Sequence, residues 1–163
     1  YETMKEYYDL IDNIYTTLIG DNSINTVTSG DIFDVDLSKQ TIFPLAHLII
    51  SDISFGQGLM TFTINIIAMD IVDEYKESKQ STDNPQYLSD NKQDVLNTML
   101  SVINRLQGSV RQGSLNDEGY EISGTPTASQ FEDRFENLLT GWSLTMSIEM
   151  RNDNVTFGGT NCD

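Results

Sequence analysis

His47 is the one imidazole and Cys162 the one thiol in the sequence, so nucleophilic or acid–base chemistry has few places to reside. His47 sits inside the apolar run Leu45-Ala46-His47-Leu48-Ile49-Ile50, and no Gly-x-Ser-x-Gly motif supplies a nucleophile for it. It reads as a packed or interface histidine. Cys162 has no CxxC partner and lies in a polar tail without the electropositive setting that a reactive thiolate needs. Asp31, Asp34 and Asp36 look like oxygen ligands for a cation, but the glycine at the sixth position and the closing Glu of a calcium loop are missing. Solvated acids are the expectation there. Neither Gly-x-Gly-x-x-Gly nor Gly-Lys-Ser/Thr occurs to cradle a phosphate. With 25 Asp and Glu in the chain, no carboxylate pair stands out as an acid–base couple. The expectation is a protein without enzymatic activity, catalytic residues, metal or cofactor.

The 25 acids face nine Lys and Arg in 163 residues, a formal net charge of −16. Such a surface repels phosphate backbones and anionic lipid, which argues against sequence-specific nucleic-acid binding and membrane association. No apolar run approaches the ~18 residues of a membrane span.

Periodicity supplies the elements. Tyr7, Tyr8, Ile11, Tyr15 and Leu18 fall at helical spacing, and Gly20-Asp21-Asn22-Ser23 stops that helix with turn chemistry. Residues 31–37 alternate as a half-solvated strand. Residues 45–50 and 59–72 read as strands joined through Phe55-Gly56-Gln57-Gly58 into an antiparallel hairpin. A solvated connection over 73–88 leads to a helix over 89–107 with the stripe Val95, Met99, Val102, Leu106 and a C-terminal cap at Gly108. Residues 107–119 are expected to form a mobile loop, and 129–139 a short helix closed by Gly141. The last strand, 142–151, alternates cleanly from Trp142 to Met150. The whole is an α+β domain over 1–151, order α-β-β-β-α-β plus the short helix. Its mainly antiparallel sheet of about four strands is covered by helices, and 152–163 form a polar tail.

One feature is unusual for a monomer. Leu45, Ile49, Ile67 and Met69 fall on the side of the hairpin opposite the expected core. Either a second helix layer of the same chain covers them, or a neighbouring subunit does.

The N-terminal helix, the Phe43-Pro44-Leu45-Ala46-His47-Leu48 opening, the long hairpin, the 89–107 helix and the closing Gly141-Trp142 strand together resemble a known family. The chain is similar over residues 3–151 to the tail terminator (tail-completion) and neck-ring proteins of tailed bacteriophages. That resemblance implies a structural virion protein assembled in the bacterial host cytoplasm. Its copies would form a ring, usually hexameric, that joins the tail tube to the head-connector proteins and passes DNA through its lumen. Under it, His47, Ile49, Ile67 and Met69 become subunit-interface residues, and Arg105 and Arg111 contacts of a partner-binding loop. A monomeric acidic module that neutralises a basic partner by mimicking DNA is the alternative, and a hydrolase working through acidic residues is a third.

Overall fold

A computed structural model describes residues 5–31, 35, 42–72, 92–117, 119–134 and 138–151. Helix α1 (Lys5–Ile19) buries Leu10, Ile14 and Leu18, four residues apart on one face. It ends as expected. Gly20 N–H bonds back to Thr16, and the Asp21 carboxylate accepts the Ser23 N–H in an Asx-type turn.

Strand β1 (Thr26–Ser29) runs parallel to β2 (Leu45–Phe55), which pairs antiparallel with β3 (Leu59–Ile71). The sheet closes with β4 (Glu121–Arg134) and β5 (Leu138–Arg151) in the order β1-β2-β3-β5-β4. The fold is therefore α+β as expected, but the sheet has five strands and is mixed. The parallel strand is 26–29, too short and polar to show a period, whereas the expected strand over 31–37 lies outside the described residues except Asp31 and Val35. A parallel pair needs a crossover of about a dozen residues or more, and residues 30–44 provide it.

Helix α2 (Lys92–Gln112) and the turn of helix α3 (Ser114–Asp117) correct the expected 107–119 loop. α2 continues through Gly108 because Val110 extends its stripe and is fully buried. Burying a valine returns about 1.5–3 kcal/mol, more than the ~1 kcal/mol an interior glycine costs.

The expected helix over 129–139 is also corrected: its described residues are the end of β4 and the start of β5. Phe131, Leu138 and Leu139 have helical spacing, yet ladder pairing to Gly141, Arg134 and Asp133 overrides that local pattern. Gly141 caps no helix. It sits in mid-strand opposite Met69, where a Cβ would run into the Ala68 carbonyl oxygen. Only glycine allows so close an approach of two strands.

The core lies between one sheet face and the two long helices. Ala46, Leu48, Phe62, Ile64, Ile66, Met146 and Ile148 meet Leu10, Ile14, Met99, Val102 and Leu106 there, all almost fully buried. The Trp142 indole N–H donates to the Leu96 carbonyl at 2.8 Å, fixing α2 to β5. Asn13 donates to the Tyr120 hydroxyl at 2.9 Å, tying α1 to the segment that follows α3. The connection 73–88 and the tail 152–163 lie outside the described residues.

Candidate interaction surfaces

The sheet face turned away from the helices has two parts. At one end Leu45, Met69 and Leu139 form a second buried cluster with Phe43, and Val35, Ile42, Ile67 and Ile71 pack on it. The chain's own crossover supplies Val35, Ile42 and Phe43, so much of this apolar end is covered from within. Along the rest, alternation places Thr61, Thr63 and Asn65 of β3 beside Glu149, Ser147 and Thr145 of β5. Ser123 and Thr127 of β4 continue the rows of Ser147 and Thr145. Thr145 donates to the Asn65 side-chain oxygen at 2.6 Å, and the Thr63 and Ser147 hydroxyls lie 3.4 Å apart. This is a sheet face of short hydroxyls and amides with acids at its margin.

The four residues assigned to a neighbouring subunit therefore separate. Met69 is fully buried in the second cluster, and His47 is fully buried between β1 and its crossover. As interface residues both are corrected, because neither has surface to offer. Ile67 is half-buried against the second cluster, and Ile49 is half-buried one residue beyond the last β1 pairing, Ser29 with Leu48.

His47 acts as a structural link. Its Nε2–H donates to the Gly30 carbonyl at 2.9 Å, so Nδ1 is left to accept the Thr28 hydroxyl at 2.7 Å. Burial holds its pKa below the ordinary value, against the opposing pull of the Gly30 carbonyl and the Asp31 charge.

Arg105 and Arg111 both belong to α2; Arg105 lies within the expected helix, and Arg111 is corrected from the expected mobile loop to the last turn of that helix. Arg105 grips Asp21 through two bonds, Nε to Oδ2 at 2.7 Å and Nη2 to Oδ1 at 2.8 Å. The guanidinium holds the Asp21 carboxyl below its usual range. This pair crosses a cleft of about 520 Å³ between the 20–23 turn and α2, and each charge satisfies the other. Arg111 stands exposed at the rim of a different cleft of about 200 Å³, between α2 and the bulged middle of β4.

The surface that sequence reasoning missed is the tip of the β2–β3 hairpin. Phe55 is 71% exposed, and Ile53 and Leu59 flank it at 39% and 38%. A bulge at Ser51 advances the register of β2, so Ile53 and Phe55 pair with Phe62 and Met60 without sharing their burial. The available signal was three large apolar residues beside a glycine turn, further along the hairpin than any helix was expected to reach.

Among the described residues, no group of three or more His, Cys, Asp or Glu side chains converges as a metal site, and no buried side-chain polar atom lacks a partner. Among the described residues, no helix is long and apolar enough to cross a membrane. No protein-family model matches the chain, and no curated protein is significantly similar to it.

Proposed function

We propose that the chain is a non-enzymatic structural subunit of a tailed-phage virion, a tail-terminator-like or neck-ring protein. Its copies form a ring between the tail tube and the head connector, and DNA passes through the lumen. The observation that carries this reading is the hydroxyl-lined sheet face. Thr61, Thr63, Asn65, Thr145 and Ser147 offer short neutral groups, Glu149 adds negative charge, and Arg151 at the end of β5 is the one cation there among the described residues. A wall that conducts a polyanion must not hold it. Contacts with phosphate come from Lys and Arg, and a chain of net charge −16 with such a face repels the backbone instead. The family resemblance in element order supports the same reading.

The test is electron microscopy of the purified protein with its mass in solution. A discrete ring with an open centre is the expected result. A monomer that captures basic proteins in a salt-sensitive way would overturn the ring and favour the DNA-mimic module.

A further inference from the structure

We infer that the exposed hairpin tip of one copy docks into the α2–β4 cleft of the next, and that this head-to-tail contact is the joint of the ring. The inference rests on the ring reading and supplies its contact.

Three observations point to a second copy as the occupant. The first is size. The cleft holds about 200 Å³ and is floored by Leu100, Ile103, Pro126, Ala128 and Leu144. A cavity of about 150 Å³ accommodates a benzene ring, so one phenyl side chain is the right filling. Phe55 is the most exposed large apolar side chain among the described residues, and Leu100 at the cleft is itself 43% exposed.

The second is charge. Asp52, the one charged residue between Ser51 and Leu59, pairs with Thr63 and so lies on the face opposite Ile53 and Phe55, and the cleft is lined by no carboxylate and one cation, Arg111. In so acidic a chain, an uncharged tip face and a cleft without carboxylates let two copies meet here without the like-charge repulsion that their surfaces otherwise impose.

The third is position. Phe55 pairs with Met60 at the end of β3, whereas the cleft lies over Leu144, which pairs with Ile66. The two sites are about 20 Å apart along the strands and three strand spacings, ~14 Å, across the sheet. No copy can fill its own cleft. A contact between two different patches is heterologous, and its repetition closes a ring when the rotation allows.

Phe55→Asp and Leu100→Asp are both surface changes, and unchanged circular dichroism establishes that each variant is folded. Sedimentation analysis of each alone is expected to show self-association weakened by at least about tenfold, as loss of an interface anchor does. Mixed in equal amounts, the two are expected to form dimers and nothing larger, because one supplies an intact tip and the other an intact cleft. Single variants that assemble like the parent would overturn this joint and leave the ring reading standing. Variants that lose assembly but fail to pair on mixing would also overturn it, since the contact would then be symmetric. A parent protein that stays monomeric at high micromolar concentration would overturn both.

Discussion

The same β3 strand shows two different surfaces. Phe62, Ile64 and Ile66 face the helices and are fully buried, while Thr61, Thr63 and Asn65 point the other way and stay partly exposed. Residues one position apart thus answer to different requirements. The helix side carries the stability of the domain, since apolar burial returns about 25 cal/mol per Å² removed from water. The hydroxyl side contributes little to stability and defines what the surface can touch. Evolution can rewrite the second without unfolding the first.

The largest expected break in this comparison comes from neither set of side chains but from Gly141, on which the strand spacing depends. Gly141→Ala places a methyl group against the Ala68 carbonyl and should cost about 4 kcal/mol or more, read as loss of the cooperative unfolding transition. Next is the paired test of the two faces. Phe62→Ala should lower the unfolding free energy by about 3–5 kcal/mol, and Thr63→Ala by no more than about 0.5 kcal/mol, both from urea titrations. Equal costs would mean that the hydroxyl face is a second core.

The smallest effect sharpens the comparison at a boundary. Asp70, at the far end of β3, has its pKa raised by burial, with the Ile71 N–H working in the opposite direction. Its folded value lies above the ordinary 3.8, so the ionised form is penalised on folding. That penalty is complete above the folded pKa and vanishes below the unfolded one. Asp70→Asn should therefore stabilise the protein at neutral pH, and the advantage should shrink as pH falls toward 3.8, followed by thermal melting across that range.

Sequence pattern revealed α1, the β2–β3 hairpin, most of α2 and the closing strand, because each buries one face and so carries its period openly. β4 was illegible for the opposite reason. It is an edge strand in which only Ile122 and Pro126 are half-buried among residues 121–130, and Gly124 and Pro126 mark a bulge that reads as a turn. What masks Met69 was equally invisible, since the alternation around Val35 does not say which surface that residue will cover. The apolar excess opposite the core was real, but its covering includes Val35, Ile42 and Phe43 of the same chain. Phe55 was in view only as part of a turn, and its exposure depends on where the helices end, which is a property of the packed whole.

The bonds from Trp142 to Leu96 and from Arg105 to Asp21 anchor α2 at separate points, one to the sheet and one to the turn after α1. Side chains far apart in sequence thus tie this helix to its surroundings at both points. The stretch of β2 past the Ser51 bulge, by contrast, is exposed throughout. Because Ile53 and Phe55 of this stretch pair with the buried Phe62 and Met60, a force applied at the tip would pass along β3 into the packed interior.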